Sequence, residues 1–171
     1  TERDCPVLID QEGGRVSRLK PPHWSAIPPM KIFGDRAHGD PHGAEEALRA
    51  AIAQICADLT AGGVNVDCAP VLDVLRPETH DVIGDRVFSD DPALVARLGA
   101  VACEAFLEAG IVPVIKHIPG HGRARADSHK ELPVVKATIE ELADDFAPFR
   151  ALAHSPLAPS VWAMTAHVVY T

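Results

Sequence analysis

Residues 116 to 129 read KHIPGHGRARADSH and put a lysine, an aspartate and His117, His121 and His129 into one short run. Three kinds of chemistry fit such a run. Imidazoles and a carboxylate can ligate zinc. Glycines beside a strand end can cradle a phosphate. Imidazole, titrating at about 6.5 when unperturbed, can also give and take protons near neutral pH on a mobile loop. Zinc would want an HExxH or CxxC geometry, which is missing, so a metal site is the lesser reading. Other polar residues end the apolar runs of the chain: Asp10, Asp73, Lys116 with His117, and His167.

Those apolar runs must be the elements that hold the polar ends in place. CPVLID (5 to 10), VNVDCAPVLDV (64 to 74), IVPVIKH (111 to 117) and VWAMTAHVV (161 to 169) are nearly continuous rather than alternating. That pattern predicts strands of a parallel sheet buried on both faces. Helices are predicted between them. Residues 43 to 61 carry Leu48, Ile52, Ile55 and Leu59 on one face and stop at Gly62 and Gly63. SDDP offers Asp91 as N-cap and Pro92 as first helical residue, with Leu94, Leu98, Val101 and Ala105 facing inward up to Gly110. Thr138 and Glu141 form a capping-box pattern for a third helix, which Pro148 is expected to break or kink.

Strands alternating with helices define an α/β protein with right-handed crossovers. The loops 11 to 42, 75 to 91 and 118 to 137 are long, as functional loops are. Polar groups at the carboxyl ends of successive parallel strands converge on one mouth. In a (β/α)8 TIM barrel that mouth carries the active site, and a doubly wound sheet binds its ligands there too. DQEGGRV lacks the GxGxxG and Walker spacings, so a phosphate cradle is weakly supported.

The 171 residues suit one domain, with 47% hydrophobic and 23% charged residues. A net charge of -8 disfavours nucleic acid and anionic membranes as partners. No apolar run approaches a bilayer span. Cys5, Cys56, Cys68 and Cys103 sit in apolar runs without metal-ligand spacing and read as buried free thiols, which favours a reducing compartment. The chain begins at Thr1, so a leader or an earlier strand stays open.

LIDQEGGRVSRL, NVDCAPVLDV, IGDRVFSDDP, KHIPGHGRARADSHKELP and MTAHV follow one another in an order and spacing that resembles glycoside hydrolase family 3. The similarity is greatest to bacterial β-N-acetylglucosaminidases that trim peptidoglycan fragments, and it runs along nearly the whole chain. The resemblance implies a retaining glycosidase whose acid/base is a histidine paired with an aspartate, here His129 and Asp127. Such a pair can protonate the leaving oxygen and then deprotonate water. It further implies that Asp10, Arg18, Arg86, Lys116 and His117 hold the sugar. His121 and Asp73 are expected to be structural.

Residues 1 to 171 are then expected to be one partial barrel domain with about four of eight strand–helix units. The family's nucleophile, an aspartate after a later strand, would lie beyond Thr171, and these residues alone would be inactive. No cofactor and no metal are expected. The expected partner is an N-acetylglucosamine-containing saccharide or muropeptide, in the cytoplasm. A β-glucosidase, a non-catalytic sugar-binding barrel and, less so, a metal-dependent hydrolase are the competing readings.

Overall fold

The computed structural model describes residues 5–126 and 132–171. Its strands are β1 (Leu8–Ile9), β2 (Val66–Asp67), β3 (Val112–Ile118), β4 (Val134–Val135), β5 (Trp162–Thr165) and β6 (Val169–Tyr170). Its helices are α1 (Lys31–Ala37), α2 (Pro41–Ala61), α3 (Pro92–Glu108) and α4 (Ala143–Ala153). The main sheet has the order β1-β2-β3-β5 and every pairing in it is parallel. Helices α2, α3 and α4 form the crossovers, so these are consecutive units of a (β/α)8 barrel.

The helix boundaries follow from local chemistry. Asp40 accepts from the Gly43 N–H at 2.9 Å and Pro41 follows it, two residues earlier than the apolar pattern indicated. Asp91 caps α3 through the Ala93 N–H at 2.9 Å. Gly63 and Gly110 take positive φ just past the two helix ends. Leu48, Ile52, Ile55 and Leu59 are fully buried, each worth about 1.5–3 kcal/mol by burial alone. In α3 the buried stripe is Val95, Leu98, Ala102, Ala105 and Phe106, while Leu94 and Val101 are only partly covered. The sequence pattern had the right face, turned slightly toward Leu94 and Val101.

Thr138 and Glu141 do form a reciprocal capping box: the Thr138 N–H donates to Glu141 Oε2 at 2.7 Å, and the Glu141 N–H to Thr138 Oγ1 at 3.3 Å. Turns follow the box, and α4 begins at Ala143. Pro148 does not break this helix, which continues to Ala153. Pro148, Phe149 and Leu152 are buried, with α4 packed on α3, and that burial outweighs one missing backbone bond.

Other expectations need correction. Full burial holds for β2 and the middle of β3, but Leu8 is 51% and Trp162 44% exposed. Both lie on edge strands of a four-stranded open sheet. The run 64 to 74 is strand only at Val66–Asp67, then runs beside β3 with Val114 N–H to Ala69 O, Lys116 N–H to Pro70 O and an isolated Val71–Lys116 bridge. Pro70 has no N–H to continue the ladder. The run 161 to 169 splits after Thr165, and Val169–Tyr170 leaves the main sheet to pair with β4. Cys5 is exposed, while Cys56, Cys68 and Cys103 are buried free thiols. Among the described residues, no helix is long and apolar enough to cross a membrane.

Helix α1, absent from the sequence pattern, sits in the loop after β1 and packs on α2. A Cβ on Gly34 would lie 1.7 Å from the Phe88 carbonyl oxygen, a backbone atom. Gly34→Ala is therefore expected to destabilise the fold by about 1–3 kcal/mol or more. Chemical denaturation checks it, and an unchanged midpoint would contradict this packing.

Candidate active site

The site begins with the turn after β1. The Gln11 N–H donates to Asp67 Oδ1 at 3.0 Å. Its buried carboxamide accepts from the N–H groups of Arg18 and Leu19 at 2.8 and 3.0 Å and donates to the Leu19 carbonyl at 2.9 Å. Gly13 and Gly14 take φ of 92° and 54° inside this loop, conformations that side chains resist. A Cβ on Gly13 would also lie 2.6 Å from the Pro28 oxygen. The loop folds back on itself and brings Arg18 beside Asp10 at the strand end, while Arg15 pairs with Asp85.

On β3 the pairing with β5 is irregular. Lys116 faces Met164 and Ile118 faces Thr165, so His117 is an extra residue in a β-bulge. A bulge re-aims side chains, and here neighbouring Lys116 and His117 both line one cleft. The Lys116–His117 peptide is cis.

That cleft measures about 780 Å³ and opens at the carboxyl ends of the strands. Asp10, Arg18, Arg86, Lys116 and His117, the five residues expected to hold a sugar, all line it. Arg15, His121, Met164, Thr165 and His167 complete much of the wall. Asp127 and His129 lie outside the described residues.

A buried charge cluster forms the floor. Lys116 Nζ, 2% exposed, donates to Asp10 Oδ1 at 2.9 Å and pairs with Glu12 Oε1 at 2.5 Å. Arg86 grips Glu12 with two bonds, Nε to Oε2 at 2.7 Å and Nη2 to Oε1 at 2.8 Å, and donates Nη1 to the Val82 carbonyl. Arg18 Nη2 reaches Asp10 Oδ2 at 3.3 Å. Burial works against the charge on Asp10, but Lys116, Arg18 and Arg86 outweigh it and hold the carboxyl below its usual range. Burial likewise opposes the Glu12 charge, and Arg86 with Lys116 carries its pKa below the ordinary value. Asp67, with only the Gln11 N–H on its carboxylate among the described residues, is pushed up to about 8 by burial.

Sequence reasoning missed Gln11 and Glu12. A polar pair before two glycines reads as an exposed loop, yet both are buried. The one available signal was Lys116: an ammonium inside an apolar strand demands anionic partners.

Asp73 stands at the next loop with no exposed side-chain surface. One oxygen accepts the N–H groups of His117 and His121 at 3.2 and 2.7 Å; the other meets His117 Nδ1 at 2.7 Å. The root of the third loop is tied further. Thr79 donates to the Gly122 carbonyl, the Tyr170 hydroxyl to the Gly120 carbonyl, and Asp145 accepts from Arg123 at 2.8 Å and Arg76 at 3.2 Å. His121, expected to be structural, is buried at this root, and it also lines the cleft. His167, which the sequence left unassigned, also reaches the wall.

Comparison with known proteins gives this arrangement a family. The family model described as the glycosyl hydrolase family 3 N-terminal domain matches residues 3–171. A β-hexosaminidase of Thiobacillus denitrificans is 39% identical over 169 residues, covering 97% of this chain and 46% of that protein. One from Xanthomonas axonopodis pv. citri is 40% identical over 168 residues, covering 96% and 48%. Among solved structures, NagZ from Neisseria gonorrhoeae in complex with N-trifluoroacetyl-D-glucosamine superimposes with a TM-score of 0.88 at 34% identity, covering 96% of this chain and 48% of that one. A family 3 β-N-acetylglucosaminidase from Paenibacillus gives 0.83 at 38% identity, covering 96% and 30%. The chain thus spans about half the length of the curated relatives it matches.

Proposed function

The chain belongs to glycosyl hydrolase family 3, and we propose that the protein carrying it is a β-N-acetylhexosaminidase. Its substrate is a terminal, non-reducing β-linked N-acetylglucosamine, most naturally on a muropeptide fragment recycled in the cytoplasm. The observation that carries this reading is the convergence of Asp10, Arg18, Arg86, Lys116 and His117 on one cleft. Carboxylate oxygens accept from sugar hydroxyls, while ammonium and guanidinium groups donate to them. The floor cluster holds these groups in fixed positions before a sugar arrives, which favours binding by pre-organisation.

In this reading, His129 protonates the departing oxygen and later deprotonates water, with Asp127 fixing its tautomer. The reaction retains configuration through a glycosyl-enzyme intermediate on a carboxylate. These residues supply the sugar floor and the root of the acid/base loop.

The test uses the whole protein that carries this chain and compares 4-nitrophenyl β-N-acetylglucosaminide with the corresponding β-glucoside, in wild type and His129→Ala. The N-acetylglucosaminide is expected to be cleaved faster, and the variant to lose about 10²–10⁴-fold in rate, least on activated leaving groups. Faster release from the glucoside sinks the substrate assignment. An equal loss on good and poor leaving groups removes His129 as the acid.

A further inference from the structure

The geometry points to Asp73 as a positioning residue that fixes the tautomer of His117 and locks that ring to the root of the third loop. It rests on the sugar-site reading only for its effect on turnover. The tautomer itself is a property of the ligand-free protein.

The argument starts from Oδ1. This oxygen accepts two backbone N–H groups, from His117 at 3.2 Å and His121 at 2.7 Å. Those donors cannot be turned away, because the His121 N–H lies in a loop root already held by Gly120 N–H to His117 O at 2.7 Å and Ala124 N–H to His121 O at 3.1 Å. Only an acceptor atom can occupy the Oδ1 position. Oδ2 then faces His117 Nδ1 at 2.7 Å. A carboxylate there is an acceptor, so Nδ1 must be the nitrogen that carries the proton.

Asp73 is a carboxylate in the folded protein. Burial alone would raise its pKa, but His117 and the two N–H donors carry it below the ordinary range. Whenever the His117 ring is neutral, Nε2, on the side away from Asp73, is its lone-pair acceptor. His117 lines the cleft, so that acceptor is the one available to a hydroxyl donor there. The same carboxylate anchors His121, whose ring lies edge-on to His117 with centroids 5.7 Å apart. Ring and loop root therefore share one anchor.

The two N–H groups also make the test sharp. In Asp73→Asn they demand the amide oxygen, because an NH2 in its place would oppose two donors. The NH2 must then face His117 Nδ1 and donate to it. The substitution is nearly isosteric but should move the ring proton to Nε2. Nitrogen-15 NMR of the histidine rings reads this directly at a pH where the ring is neutral, with His117→Gln assigning the resonance.

In wild type His117 should be the Nδ1–H tautomer, and in Asp73→Asn the Nε2–H tautomer. A wild-type ring protonated on Nε2, or a variant still protonated on Nδ1, overturns the inference. The wild-type spectrum alone decides if the variant fails to fold. In turnover of 4-nitrophenyl β-N-acetylglucosaminide, Asp73→Asn is expected to raise KM about tenfold or more, with kcat within about threefold. A loss confined to kcat overturns the binding role. Absence of turnover in the whole protein that carries this chain would sink the glycosidase reading, while the ring spectrum would still decide the tautomer.

Discussion

Glu12→Gln should cost about 3–5 kcal/mol, because it removes one partner of a buried ion cluster and leaves the others uncompensated. In a domain of this size that corresponds to a fall in melting temperature of roughly 10 °C. The glutamate sits between two cations, Lys116 at 2.5 Å and Arg86 through two bonds. Glutamine keeps the shape but presents an NH2 to one of them. Asp10, itself 38% exposed on its side chain, then remains the carboxylate paired with Lys116 among the described residues, while Arg86 keeps only the longer-range attraction of Asp73 and Asp10. The cleft should suffer with the fold. Lys116 and Arg86 lose the charge between them and one of two acceptor oxygens, so, if the proposed sugar site is right, KM of the whole protein for 4-nitrophenyl β-N-acetylglucosaminide should rise about tenfold or more.

Acid gives this prediction its signature. The folded pKa of Glu12 lies below its ordinary value of 4.5. Its stabilising contribution is therefore present above about 4.5 and is lost as pH falls through the lower folded value. The gap between wild type and Glu12→Gln should be full at neutral pH and close toward strong acid. Thermal melts from pH 7 downward would measure it, and equal melting temperatures at pH 7 would discard the cluster as a source of stability.

Asp67→Asn should do the reverse. Burial raises the Asp67 carboxyl from 3.8 to about 8, so the folded state keeps a proton that the unfolded chain releases. The contribution of the protonated acid is complete below about 3.8 and disappears as pH rises through about 8. Over that window it lowers stability by on the order of 1 kcal/mol per pH unit. Asparagine cannot ionise. Its oxygen can still accept the Gln11 N–H, and its NH2 would replace Oδ2, which has no hydrogen-bond partner among the described residues. The variant should therefore melt at least as high as wild type at pH 8 and lose the slope. A wild type whose stability is flat from pH 5 to 8, apart from other titrations that both proteins share, would contradict a buried neutral Asp67.

How much of this was legible depends on the range of the interaction. Asp91 before Pro92, and Thr138 with Glu141, are contacts within a few residues, and both pairings form as the sequence implied, although turns follow the Thr138–Glu141 box and α4 opens only at Ala143. The strand ends were legible because continuous apolar runs stop at Asp10, Lys116 and His117. The need for an anion beside Lys116 was legible as well. Its identity was not, since Glu12 meets Lys116 across more than a hundred positions and lies in a loop whose composition looks solvated. The break expected at Pro148 does not occur: its local cost is read from the sequence, while the burial of Phe149 and Leu152 that offsets it is not. The exposed edges of β1 and β5 go with the partial barrel the sequence implied, since four strand–helix units leave the first and last strands each with one neighbour.

The extra residue at His117 makes the strand's side-chain parity unequal before and after it. Through Lys116, alternate side chains of β3 follow one count; beyond the bulge the count has advanced by one. Lys116 and His117 can thus share a mouth although they are adjacent, which a regular strand forbids. It follows that β3 has a single usable frame against β5. Sliding it by one position would not exchange one cleft-lining residue for another; it would take the lysine from its carboxylates and the histidine from Asp73 together. The two sets of contacts constrain each other, so a length change anywhere in 112–118 would be felt at both.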